Sequence, residues 1–300
     1  MGKVFAIIFI IIFFFSCGRK SGDVLLPRTQ NDSVYIKSFF VLDSSRSNYR
    51  DTVLKFYFEY DANKRISQIR EFRWEDATNN FKFSSEVNFS YQGLDTLPSM
   101  LLTTIRYNSV LYDTIYLTYS NGRIIRDSSA YGIPGSPKSY VLFNFRQLNS
   151  NVFESNFIDS VNGFVAYRER AYSFVNWQNG NLLSERDTFG FDTPPTGFAQ
   201  SMDYTYDQRP NPLRRAFLNF PSLPFNSRAL TMAHGNWYLK FFANSSTNNI
   251  LTELYNPGND LVSWNYTYGS NGMPQKAIRY TGTANSWTSI FKVYYYYTSF

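Results

Sequence analysis

One cysteine and one histidine are all that 300 residues offer to soft metal ions and to thiol or imidazole chemistry. A zinc site draws on several His, Cys or clustered carboxylate ligands, so zinc is excluded, and a lone cysteine rules out a disulfide within the chain. A Ser–His–Asp triad would have to use His234, in Thr231-Met232-Ala233-His234-Gly235, yet no Gly-x-Ser-x-Gly elbow exists to present a serine. His234 is therefore read as a loop histidine and carried only as a candidate binding residue. There is no phosphate loop or dinucleotide fingerprint, so no cofactor is expected. Helix-length amphipathic patterns are missing. The net charge of +6 is modest, and arginines such as Arg70, Arg106, Arg126, Arg170, Arg186 and Arg279 are scattered instead of forming a stripe. Nucleic acid is thus not an expected partner.

What is abundant is aromatic. With 24 Tyr and 29 Phe the chain favours strands, because flat rings pack well on a pleated surface and lose χ1 freedom in helices. Leu54 to Arg70 states a pattern that recurs: an alternating aromatic run ending at Tyr60, a short polar turn, then Arg65-Ile66-Ser67-Gln68-Ile69-Arg70. That is a β-hairpin. Variants follow at Tyr116–Ser128, Ser173–Arg186, Met202–Arg215 and Trp264–Tyr280. Aligning the last aromatic before each turn gives Tyr60, Tyr91, Tyr119, Phe145, Trp177, Tyr206, Phe242, Tyr268 and Tyr297, an internal repeat of roughly 30 residues. Asn121-Gly122, Asn179-Gly180 and Asn271-Gly272 supply the positive φ that hairpin turns need.

The alternation assigns faces. Leu54, Phe56, Phe58 and Tyr60 form one side of a strand and belong to a core; Val53, Lys55, Tyr57 and Glu59 form the wet side. Eight or so hairpins in succession make an all-β antiparallel meander of about 14 to 18 strands. An open sheet that long curls or closes, so a barrel or wrapped sheet is expected, with a propeller as the weaker alternative because its blades need longer repeats. A single β-repeat domain is read over 33–300. Its rhythm breaks once, in a Pro-rich insertion at about 207–236 containing Pro210, Pro212, Pro221 and Pro224; irregular insertions on a regular scaffold are frequent binding sites, and a crossover or plug is the equal alternative.

Residues 1–16 are a different kind of sequence. Lys3 and the dozen apolar residues Val4–Phe15 are too short to span a bilayer as a helix and read as an export signal. The run ends in Phe14-Phe15-Ser16-Cys17-Gly18, which resembles the lipobox of bacterial lipoproteins, with Phe14 where Leu is usual. The resemblance implies that Cys17 is lipidated and becomes the mature N-terminus, attached to a membrane, with 17–32 as lipidated cysteine and flexible tether. The motifs YDANKRI (Tyr60–Ile66) and YSNGRI (Tyr119–Ile124) resemble the YD or RHS repeat, a family of long spiralling β-sheets. Trp177, Asn181 and Met273-Pro274 depart from its pattern. Lipobox and repeat together resemble the Bacteroidetes lipoproteins of unknown function with porin-like or barrel-like domains, which implies the envelope of a Gram-negative bacterium, most simply its outer membrane, and transfers no catalytic residue.

Function is accordingly read by elimination. The surplus of outward aromatics, Tyr57, Tyr116, Tyr140, Trp237 and Tyr294, suits a stacking platform for sugar rings or peptide, against the alternative that both faces of the sheet are buried. The leading expectation is a non-enzymatic, lipid-anchored protein that binds a glycan, peptide or envelope protein. Two alternatives stand beside it. One is a glycan hydrolase drawing paired carboxylates from Glu59, Glu71, Glu169, Glu185 and Glu253, each otherwise read as an outward residue near an arginine. The other is an integral outer-membrane barrel, suggested by the terminal aromatic run Tyr294–Tyr297 and Phe300.

Overall fold

The computed structural model describes residues 34–43, 52–93, 97–106, 110–120, 123–132, 139–149, 151–161, 164–190, 199–214, 246–256, 260–283 and 286–299. Among the described residues sixteen strands follow one another: β1 (Val34–Asp43), β2 (Thr52–Tyr60), β3 (Ile66–Glu75), β4 (Asn80–Tyr91), β5 (Pro98–Arg106), β6 (Val110–Ser120), β7 (Arg123–Gly132) and β8 (Ser139–Asn149), then β9 (Val152–Val161), β10 (Phe164–Gln178), β11 (Asn181–Gly190), β12 (Ala199–Pro210), β13 (Asn248–Asn256), β14 (Asp260–Tyr268), β15 (Pro274–Thr283) and β16 (Ser286–Ser299). Each strand pairs antiparallel with its neighbours in sequence, as the meander predicts. β1 also pairs with β16, from Val34 opposite Ser299 to Asp43 opposite Phe291, which closes the sheet into a barrel. A propeller is thereby excluded.

The inner face is mainly apolar. Phe39, Val41, Phe56, Phe58, Ile69, Val87, Phe89, Leu101, Val175, Leu182, Met202, Val262, Ala277 and Val293 are buried in one continuous core. Phe56, Val41, Leu101 and Met202 have no solvent exposure, so at these levels the interior is filled by side chains and is not an open channel. The outer faces of β2, β3, β10, β15 and β16 carry Lys55, Arg70, Arg170, Lys276 and Lys292.

The repeat aromatic marks a backbone irregularity. The register shifts immediately before Tyr60, Tyr91, Tyr119, Trp177, Tyr206 and Tyr268, and each time the facing strand carries one extra residue: Ser67, Ser99, Ile125, Leu183, Leu251 or Gln275. These are β-bulges. They explain why Ile66 and Ile69, three residues apart, are both buried, and why the strands after the turns read as irregular in the sequence. A bulge leaves a main-chain carbonyl poorly served by the ladder. The tyrosine of the next hairpin serves it: Tyr60 donates to the Ile36 carbonyl (2.9 Å), Tyr91 to Ile66 (2.8 Å), Tyr119 to Pro98 (2.5 Å), Tyr206 to Leu182 (2.6 Å) and Tyr297 to Pro274 (2.6 Å). Every acceptor immediately precedes a bulged residue, including Lys37 at the β1–β16 junction.

The turns reinforce this end of the barrel. Asp61 accepts from the Asn63 and Arg65 amides (2.9 Å each) and pairs with the Arg65 guanidinium at 2.6 Å, while Arg65 lies 4.2 Å over the Tyr91 ring and donates to the Gly93 carbonyl. One turn is thus stapled to the next. Partial burial pushes the Asp61 carboxyl up, but the hydrogen bonds and charge of Arg65 outweigh it and hold the group below its ordinary value. Asn179 and Gly180 both take positive φ, 51° and 77°, as the Asn-Gly signal predicts; Asn121-Gly122 lies outside the described residues.

Two outcomes follow from the tyrosine contacts. Tyr91→Phe should remove one hydrogen bond to a part-buried carbonyl and lower unfolding stability by about 1–2 kcal/mol, read from the denaturant midpoint. Burial pushes the Tyr91, Tyr206 and Tyr297 phenols well above their ordinary range. The unfolded chain ionises near pH 10, as ordinary tyrosines do, while the folded barrel keeps these phenols neutral. Stability is therefore fully present below about pH 10 and falls as pH rises past it. Tyrosinate absorbance should then rise together with loss of the strand signal in circular dichroism.

Candidate functional site: the outer face and the foot of the insertion

Cross-strand register assembles the outer face into rows. One row runs over six strands as Lys276 (β15), Tyr294 (β16), Phe40 (β1), Lys55 (β2), Phe72 (β3) and Phe83 (β4). The adjacent row is Tyr296, Ser38, Tyr57, Arg70 and Glu86. Rings touch along and between the rows: Phe40 lies 5.1 Å from Tyr296 and 6.0 Å from Tyr57, Tyr57 lies 5.7 Å from Phe72, and Phe72 lies 5.9 Å from Phe83. The Lys55 ammonium is 3.8 Å from the Phe81 centroid and 5.5 Å from that of Phe40; the Lys276 ammonium is 5.7 Å from that of Tyr294. Such contacts hold a cation over rings without neutralising it.

Of the sequence candidates, Tyr57 and Tyr294 therefore share one aromatic surface. Tyr116 on β6 and Tyr140 on β8 are half exposed, at 54% and 50%, and flank the outer face of β7, where Ser128 and Ala130 face them in register. The two pairs lie on different parts of the wall. Cys17, His234, Trp237 and Phe242 lie outside the described residues. The reading in which both sheet faces are buried does not hold, because Tyr116, Tyr140, Phe174 and Tyr296 are exposed. Phe40, Lys55, Tyr296 and the lysines of β15 and β16 were missed as members of the patch; alternation shows that Lys55 points outward, but which residues lie beside it is a matter of register between strands distant in sequence.

The carboxylate reading needs correction. Glu71, Glu185 and Glu253 are not outward residues: all three are buried, because the bulges reset the phase of the strands that carry them. Glu71 accepts from Arg73 and from Ser85 (3.1 Å); Glu253 accepts from Tyr255 and from the Trp264 indole, each at 3.0 Å. Glu185 is inward and Arg186 is exposed, so the two do not pair. Arg170 pairs with Glu154, which lies on the outer wall at 3% exposure beneath Arg146 and Arg170. Glu59 is outward and ion-paired, with Arg70. The Glu169 side chain lies outside the described set. No group of three or more His, Cys, Asp or Glu forms a metal cluster among the described residues.

The insertion is shorter at its start than the prolines suggest: Asp207 to Pro210 still belong to β12, and the excursion lies between Pro210 and Asn248. Its foot is clamped. The Asn211 amide donates to the Thr247 carbonyl (3.0 Å) and its side chain to the Ser246 carbonyl (3.2 Å), and Arg214 bonds Thr247. Ser246 accepts from the Leu182 amide, and Asn181 and Asn248 exchange hydrogen bonds of 2.9 and 3.0 Å. Asp207 accepts from the Asn249 amide (3.1 Å), from its side chain and from the Tyr268 phenol. Burial raises the Tyr268 phenol, and its bond to the Asp207 carboxylate raises it further.

These features define a closed sixteen-stranded antiparallel barrel, packed inside and charged and aromatic outside. Residues 2–107 match the model of a family of unknown function, DUF3836. No curated protein matches the chain. Among solved structures it is similar to a porin-like protein from Bacteroides uniformis, at 11% identity over 88% of this chain and 96% of the other, with a TM-score of 0.51. A porin-like protein from Bacteroides vulgatus aligns at 12% identity over 89% and 99%, with a TM-score of 0.47. The likeness to the first is one of fold.

If the clamp is structural, Asp207→Ala should strip both Asn249 and Tyr268 of their shared acceptor and cost about 2–3 kcal/mol of stability, read by chemical denaturation.

Proposed function

We propose that this chain is a lipid-anchored envelope protein whose barrel stands in water and recognises a glycan through its outer aromatic face. The observation that carries the reading is the polarity of the wall. A barrel that meets lipid presents an apolar band outward, and each Lys or Arg at the bilayer midplane costs about 2–4 kcal/mol. Here Lys55, Arg70, Arg170, Lys276 and Lys292 occupy outward positions of their strands, and the apolar faces are turned inward. Such a body needs an anchor to stay at a membrane, and Cys17 supplies one, with the rest of 17–32 as the tether.

Recognition is favoured over hydrolysis by the placement of the carboxylates. Glu185 and Glu253 flank β12, and both act on the Tyr206 phenol, but they are closed off from solvent at 1% and 3% exposure. A hydrolase must bring its acid and base to a substrate. The rings of Tyr57, Tyr116, Tyr140, Tyr294 and Tyr296 are instead reached from the aqueous side, and exposed aromatic faces are the groups on which the apolar faces of sugar rings stack.

Cys17→Ser should move the protein from the membrane pellet to the soluble fraction; retention after an alkaline carbonate wash would contradict the lipid as sole attachment. On an array of glycans and peptidoglycan fragments with reducing-sugar release followed in the same wells, binding without release is expected. Release of sugar would return the inner carboxylates to consideration.

A further inference from the structure

The ligand class can be narrowed from the charge on the patch, an inference that rests on the recognition reading above. We propose that the row Lys276–Tyr294–Phe40–Lys55–Phe72 binds an acidic polysaccharide, a linear chain carrying carboxylate groups, laid across the strands of β15, β16, β1, β2 and β3. The carboxylates on this part of the wall are already served: Glu59 pairs with Arg70, and Glu86 accepts from Asn88. Lys55, Lys276 and Lys292 form no ion pair among the described residues and surround the Tyr294–Phe40 pair, with Lys292 two positions from Tyr294 on β16. The patch is thus cationic at its margin and aromatic at its centre.

The spacing suits a polymer of rings. Neighbouring strands are about 4.8 Å apart, so successive members of the row recur at close to the length of one sugar ring, and Lys276 and Lys55, three strands apart, span about 14 Å. A chain lying along the row meets rings on which to stack and, at intervals of a few sugars, an ammonium for a carboxylate. A membrane surface fits less well. The adjacent row alternates Tyr296 and Tyr57 with Ser38, Arg70 and Glu86, so polar and charged groups interrupt the rings, whereas lipid contact favours a broad apolar area.

The test uses the Cys17→Ser chain in detergent-free buffer, so that no acyl chain enters vesicles, with alginate as the uronate polymer. Dextran serves as a neutral glycan, poly-glutamate as an acidic chain without sugar rings, and phosphatidylglycerol vesicles as an anionic membrane. Alginate should bind at least tenfold more tightly than the other three, and added salt should weaken it. Lys55→Gln combined with Lys276→Gln should lower alginate affinity at least tenfold, and Tyr296→Ala severalfold, with melting midpoints unchanged; Phe174→Ala, on the exposed wall of β10, should leave it intact. Equal binding of poly-glutamate or of vesicles would overturn the proposal, as would alginate binding indifferent to the lysine substitutions. Binding of dextran or another neutral glycan with alginate silent would overturn the acidic class and leave the recognition reading standing. Silence across the whole glycan array would overturn both.

Discussion

A tyrosine hydroxyl donated to the carbonyl that a β-bulge leaves behind is the contact on which this barrel depends. A wall of sixteen strands has to bend steadily, and bulges bend and twist a strand by inserting one unpaired residue. Each insertion leaves a main-chain acceptor without its ladder partner, and a buried acceptor left so costs about 1–3 kcal/mol. Ile36, Ile66, Pro98, Leu182 and Pro274 each immediately precede a bulged residue, and in every case the tyrosine one strand further on reaches back to the carbonyl. Curvature and its compensation thus come from the same thirty-residue unit. Where the unit departs, the contact departs with it: Tyr268 turns instead to Asp207 at the foot of the insertion.

The same device explains what was legible in the amino-acid sequence. Strand number, meander order and the core face of β2 follow from alternation and from the spacing of Tyr60, Tyr91 and Tyr119, because those signals are local. The inward turn of Glu71, Glu185 and Glu253 does not, since one bulged residue near the start of an odd strand reverses the parity of all that follows and leaves no mark in composition. The repeat aromatic was visible as a marker of turns, but its hydroxyl partner lies 21 to 25 residues away on a neighbouring strand. The patch on the outer wall was half visible. Tyr57 and Tyr294 stood out as outward aromatics, whereas the closure of β16 on β1, which sets them on either side of Phe40, is a long-range register with no local signature.

Inside and outside are differently specialised in consequence. The interior holds the barrel together with apolar side chains and a few carboxylates, among them Glu71, bound by Arg73 and Ser85, and Glu253, bound by Tyr255 and Trp264. Among the described residues that leaves the wall as the surface available to other molecules. On the wall, rigid strands fix each ring within a lattice of neighbours, so a ligand meets groups that need little further ordering.

The tyrosine contact is also modular, and this bears on the girth of the barrel. Where the contact occurs, a hairpin supplies a bulge for its successor and a hydroxyl for its predecessor, so nothing within such a unit counts how many units there are. The number is decided at one junction, where the bulge at Lys37 and the Ile36 carbonyl receive β16 on one side and Tyr60 on the other. Loss or duplication of one hairpin that carries the contact would leave the other tyrosine contacts chemically the same and change the circumference by two strands. A chain built in this way can widen or narrow its wall in whole-hairpin steps without redesigning its interior chemistry.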